Sequence, residues 1–193
     1  MSIIAGFGTV QIAANGVANS LDSMGCIVGQ AMNLAMITVI GRCVGAGDSG
    51  QVRHYTKKLL KITYVCTFVV NSIILLCLPW ILKCYRLSPE TTQLSYILVM
   101  IHNGMAMFLW PASFVLPNML RACNDVRFTM VLSIFSMFMF RIGFSYIIGV
   151  NMGYGAIGVW IAMVLDWIFR VICFVSRYLS GHWLKTAGLK DNR

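Results

Sequence analysis

Six polar residues stand inside runs that carry little else polar: Asn33, Asn71, His102, Asn103, Arg141 and Asp166. In hydrocarbon, such groups are costly unless they find partners, so they mark proton relays, ion paths or interhelical bonds. At a rise of about 1.5 Å per residue, Asn71, His102, Arg141 and Asp166 fall roughly 10–15 Å below one membrane boundary. Asn33 and Asn103 fall in or near that layer. A polar layer at this depth can hold a substrate or a coupling ion.

Each residue has a chemical reading. Arg141 and Asp166 lie on sequential antiparallel segments at matching depth, which predicts an ion pair. Asp166 also faces Arg170 at i+4. Arginines on both sides would keep that carboxylate charged and make it a poor proton carrier. His102 is the single histidine within an apolar run, either hydrogen-bonded in the bundle or a proton carrier. The asparagines suit interhelical hydrogen bonds or ligand contacts. Pro111 and Pro117 free backbone carbonyls and make a kink or a hinge. Aromatic residues such as Phe108, Trp110, Phe114, Phe135, Phe138 and Phe140 face lipid or line a cavity for flat lipophilic cations.

Other chemistries find no support. His54, His102 and His182 lack spaced carboxylate or cysteine partners, so no catalytic site and no enzyme is expected. There is no Gly-x-x-x-x-Gly-Lys phosphate loop and no cofactor motif. Seven cysteines include no Cys-x-x-Cys pair, which predicts neither a metal site nor a disulfide framework.

The elements that position these residues follow from composition. The chain has 193 residues, 59% hydrophobic and 11% charged, with a mean hydropathy of +0.78. Too few charges are present to cover a water-facing surface. Residues 23–41, 62–82, 91–120 and 142–165 carry no charge at all. These continuously apolar runs predict an all-α polytopic transmembrane bundle, with spans at about 9–46, 57–82, 93–120, 126–148 and 156–180. Residues 1–8 are too short to span and read as part of a helix. One bundle over 1–180 is expected, followed by a loose polar tail over 181–193.

The net charge of +9 does not point to nucleic acid, because the basic residues flank the spans and form no aromatic-interleaved stripe. Membrane lipid is the expected partner. Arg42, Arg53, Lys57, Lys58, Lys61, Arg121, Arg127, Arg177, Lys185, Lys190 and Arg193 fall on one side, against Lys83 and Arg86 on the other. This asymmetry predicts a cytoplasmic C-terminus, with the loops 83–92 and 149–155 outside.

The turn between the first two spans combines Gly45, Gly47, Asp48 and, after a spacer, Arg53. With IAANGVAN at 12–19 before it, this string resembles a loop of the multidrug and toxic compound extrusion (MATE) antiporters. Two further strings, in order, strengthen the resemblance: Pro111-x5-Pro117 leading to LRACNDVR at 120–127, and GAIGVW at 155–160 with Asp166, Trp167, Arg170 and Trp183. The chain is similar to the C-terminal half of a bacterial member, from the end of its seventh helix through its twelfth. The resemblance implies export of small organic cations or drugs in exchange for H+ or Na+, in the bacterial inner membrane. It also implies a further N-terminal lobe, on the same gene or a separate chain. A chain lacking that lobe is expected not to transport alone, whether truncated, decayed or split. Two other readings stay open. One is a lipid-linked saccharide flippase of the same broad superfamily, for which Arg141 and Arg170 would supply a cationic cavity. The other is a non-transporting membrane subunit.

Overall fold

The computed structural model describes residue 4 and residues 6–190. Five long helices dominate: α1 (Thr9–Gly45), α2 (Ser49–Cys84), α3 (Pro89–Ala122), α4 (Val126–Asn151) and α5 (Gly155–Leu179). A short α6 (His182–Thr186) follows. All five long helices have the length and apolarity to cross a membrane, and no strand occurs among the described residues. The protein is an all-α, multi-pass membrane bundle.

Helix ends follow the local sequence. At the end of α1, Asp48 N–H donates to Cys43 C=O at 3.2 Å and Gly47 N–H to Val44 C=O at 3.0 Å. This closure needs a left-handed residue, and Gly47 supplies it with φ +74°. Asp48 then caps α2 by accepting from Gln51 N–H at 2.9 Å. The same device recurs after α3. Asn124 is left-handed at φ 61°, and Asp125 N–H donates to Leu120 C=O at 2.9 Å.

The α2 helix begins eight residues before the span expected from 57. Hydropathy reports where lipid begins, whereas the Asp48 cap decides where the helix begins. The basic stretch from Arg53 to Lys61 is therefore helical and not loop. The tail also differs from the loose segment expected. Trp183 and Leu184 of α6 are buried, Trp183 Nε1–H donates to Tyr178 C=O at 3.2 Å, and the Arg53 guanidinium lies 5.6 Å from the Trp183 ring.

Two apolar cores stack along the bundle. One, at the basic end, joins Met36, Ile40, Val52, Leu116, Met119, Leu120, Phe174 and Trp183. The other joins Ala14, Leu21, Leu78, Leu98, Val99, Ala156 and Trp160. Leucine, isoleucine and phenylalanine point outward along the helices, as at Ile27, Leu34, Phe68, Leu76, Phe138 and Ile172. In lipid this outer face costs nothing, so packing depends on close fit. The α4 and α5 helices meet backbone to backbone. A Cβ on Gly158 would stand 2.8 Å from Gly149 N and Ile148 C.

Two helices depart from α geometry. The α3 helix is π-helical over Pro111–Val115, where Pro111 has no N–H to continue the ladder. Ser113 Oγ–H in that turn donates to Trp167 C=O of α5 at 2.9 Å. The α4 helix is π-helical over Met137–Asn151. Pro117 lies in the α-helical turn after the first π segment and is buried.

Candidate functional site

A cleft opens between α1 and α4, with α3 and α5 as its floor. Its inner part, about 340 Å³, is lined by Asp22, Ser23, Cys26, Gln30, His102, Trp110, Phe114, Arg141, Met163 and Trp167. An adjoining part, about 420 Å³, lies toward the end opposite the basic loops, between Asn15, Gly16, Asn19, Arg141, Ser145, Val159, Trp160 and Met163. Arg141 and Met163 line both.

The floor is built where the two apolar cores meet. His102 follows Leu98 and Val99 of one core and precedes Ala106 of the other. Its Nδ1 lies 2.9 Å from Asp22 Oδ1 and 3.1 Å from Asn103 Oδ1. Its ring meets the indoles of Trp160 and Trp167 edge to face, at centroid distances of 5.2 and 4.8 Å. Cys26, one turn along from Asp22, donates Sγ–H to Asp22 Oδ1 at 3.3 Å. The imidazole is 2% exposed, whereas the carboxylate is 24% exposed and faces the cleft. Trp110 and Phe114 stack at 5.1 Å on the cleft wall. A Cβ on Gly29 would strike the Trp110 ring, so the missing side chain makes room for that wall.

The six polar residues expected to share one layer do not form one site. His102 and Asn103 are joined, and Arg141 lines the same cleft. Asn71 lies off the cleft at the α1–α2 seam, where Nδ2–H donates to Thr67 C=O at 2.8 Å and the side chain fills the space over Gly25. Asn33 points toward the basic end and accepts from Asn118 Nδ2–H at 2.9 Å; Asn118 in turn accepts from Arg121 Nη1–H at 3.1 Å.

The expected Arg141–Asp166 pair is not formed. Asp166, 1% exposed, is held by Arg170 on its own helix at 3.0 Å. Arg170 also donates Nη2–H to Ser133 C=O at 3.3 Å and lies 5.6 Å from the Phe114 ring. Matching depth did not decide the partner, because two side chains must also share an azimuth. The i→i+5 turns of α4 carry Arg141 round to the cleft face. Arg141 has no hydrogen bond or ion pair among the described residues.

The loop motif is structural in form. Gly45 ends α1, Gly47 makes the turn, Asp48 caps α2, and Arg53 packs on Trp183. Pro111 opens the π turn tied to α5, and Pro117 is buried beyond it. Of the aromatic residues, Trp110 and Phe114 face the cleft, whereas Phe108, Phe135 and Phe138 are exposed on the outside.

Sequence reading passed over Asp22, which stands one residue before an uncharged run and so reads as its boundary. The signal available was the absence of any cap or breaker there; α1 runs through Asp22 for 37 residues in all. It also passed over the Asp125–Arg177 pair, joined by bonds of 2.7 and 3.1 Å between residues 52 apart. Beside that pair Cys123 is buried, and burial, with the Asp125 charge adding to it, pushes its thiol up to about 12. No cluster of three or more metal-ligating side chains occurs among the described residues.

Comparison with known proteins agrees with this architecture. The family model described as MatE matches residues 1–147. A probable multidrug resistance protein NorM of Thermotoga maritima is 23% identical over 186 residues, covering 96% of this chain and 40% of the relative. A second, of Agrobacterium fabrum, is 23% identical over 195 residues, covering 96% and 42%. The uncharacterized transporter YisQ of Bacillus subtilis is 27% identical over 101 residues, covering 51% and 21%. The chain thus spans about two-fifths of the length of the NorM relatives it matches. With a MatE match over most of its length and five apolar helices, this chain belongs to the MatE family.

Proposed function

We propose that residues 1–193 form one lobe of a secondary active efflux antiporter. It binds small organic cations in the cleft and works with a second lobe in the bacterial plasma membrane, its C-terminus in the cytoplasm. The observation that carries this reading is an intramembrane cleft with one carboxylate, Asp22, and stacked aromatic rings, Trp110 and Phe114. A flat cation is held by such walls through ring faces and by the carboxylate through charge. The names of the NorM relatives and their greater length support the multidrug character and the second lobe. The basic loops at one end support the orientation.

The flippase reading loses its main support. It relied on Arg141 and Arg170 together, but Arg170 is neutralised by Asp166. The cleft is left with one cation, Arg141, against one anion, Asp22.

Ethidium binding to purified residues 1–193 in lipid nanodiscs tests the proposal. Saturable binding is expected, weakened about tenfold or more by Trp110→Ala, since aromatic contacts to desolvated cations contribute up to about 2 kcal/mol. Binding that Trp110→Ala leaves unchanged would remove the cleft from consideration.

A further inference from the structure

We propose that the basic end of α2 is a binding site for one anionic phospholipid. Lys57, Lys58 and Lys61 hold its phosphate, and its acyl chains lie along the apolar face beneath them. The site is on the outside of the bundle and does not depend on what the cleft carries.

Lys57, Lys58 and Lys61 stand at i, i+1 and i+4, so they share one face over about a turn. All three are exposed. The same face continues as Val65, Phe68, Val69, Ile73, Leu76 and Trp80, which are exposed as well. Thr56, Thr63, Thr67 and Asn71 turn to the opposite side of the helix and are buried. Helix faces that meet protein within a membrane favour small and polar side chains. The large apolar side chains below the lysines suit hydrocarbon instead. A second lobe finds the better surface on α1, where Asn19, Ser20, Ser23 and Gln30 are exposed.

Depth puts the three cations at the level of lipid phosphate. Trp80 marks the far boundary, as tryptophan does at membrane interfaces. At about 1.5 Å per residue, Lys61 stands roughly 28 Å from it, close to the ~30 Å thickness of the hydrocarbon. Lys57 and Lys58 lie a turn further out, among the headgroups.

No group among the described residues neutralises these lysines, which have no ion pair there. Asp48 caps α2 about two and a half turns before Lys57, and Asp125 is held by Arg177. Asp22 lies against His102, Asp166 against Arg170, and Glu90 opens α3 at the far end. Arg53, a turn before Lys57, packs on Trp183. Like charges this close on a helix repel one another. A phosphate diester at the membrane surface relieves that repulsion, and anionic headgroups attract such basic clusters. Free phosphate supplies the charge but not the chains. The apolar face directly below the lysines therefore selects a lipid.

Native mass spectrometry of residues 1–193 tests the site. The protein is released from micelles holding equal amounts of dioleoyl phosphatidylglycerol and dioleoyl phosphatidylcholine. One phosphatidylglycerol is expected to stay bound in preference. Lys57→Gln, Lys58→Gln and Lys61→Gln together should weaken its retention about a hundredfold, since each surface lysine contributes roughly fivefold to attraction of anionic lipid. The control removes three exposed cations elsewhere at the basic end, by Arg42→Gln, Lys185→Gln and Lys190→Gln. It should keep the lipid. Excess glycerophosphoglycerol, the headgroup without chains, should not displace it at matched ionic strength. Equal retention of the two lipids would overturn the proposal, as would a lysine variant that holds phosphatidylglycerol as well as the wild type does. A control that loses as much as the lysine variant would also overturn it, by showing only the general field of the basic end. So would displacement by glycerophosphoglycerol, which would mark a site for free phosphate esters.

Discussion

Gly158→Leu is expected to leave no folded bundle to purify. Even a Cβ at this position lands 2.8 Å from Gly149 N and Ile148 C, which are backbone atoms that cannot rotate away. The whole of α4 must move off α5, and the gain from helix–helix contact in lipid is short-ranged. Gly158→Ala is expected to cost about 3 kcal/mol, the upper part of the range for overpacking. Gly104→Ala is the control. A Cβ there meets nothing within 4 Å, so this change should stabilise α3 by up to about 1 kcal/mol through helix propensity alone. Thermal unfolding in detergent, read as the fraction remaining monodisperse, checks all three. Equal behaviour of the Gly158 and Gly104 variants would disprove the close approach.

Arg177→Ala should destabilise the protein by about 3 kcal/mol. Arg177 forks onto Asp125, with Nε–H to Oδ2 at 2.7 Å and Nη2–H to Oδ1 at 3.1 Å, and its guanidinium covers Phe128 at 4.5 Å. Asp125 is nearly fully buried, so losing its partner strands a charge. Arg177 is itself partly exposed, which places the loss at the low end of the range for buried pairs. Arg177→Lys should recover little, since an ammonium cannot make both bonds. Asp125→Asn combined with Arg177→Gln should cost less than the sum of the single changes. Additive losses would show that the two residues act separately.

How much of this was legible depended on what each signal measures. Length and apolarity of the runs gave the all-α bundle, because crossing hydrocarbon imposes both. The same signal missed the first eight residues of α2, which are helical through capping and lie among charges. Depth along a helix follows from counting, so His102 and Arg141 were found as intramembrane groups. Partnership needs azimuth as well, and the π-helical stretch of α4 breaks the 3.6-residue count. That is why Arg141 was assigned to Asp166 when its place is in the cleft. Asp22 was missed for a related reason: a charge at the edge of an uncharged run looks like the end of a span, and only the unbroken helix shows otherwise. The contact between Asp125 and Arg177 joins distant segments and has no local pattern.

Residues 1–193 are expected to bind an organic cation without moving it alone, and efflux from intact cells tests this most directly. Residues 1–193 would be expressed in a drug-sensitive, efflux-deficient bacterium, in a variant whose one remaining thiol is the exposed Cys84. Labelling of Cys84 by a membrane-impermeant maleimide confirms insertion, with the loop after α2 outside. The expected result is inserted protein that binds ethidium after purification, in cells that retain the dye as fully as controls and gain no resistance. Ethidium extrusion that requires residues 1–193 and collapses with the ion gradient would contradict it.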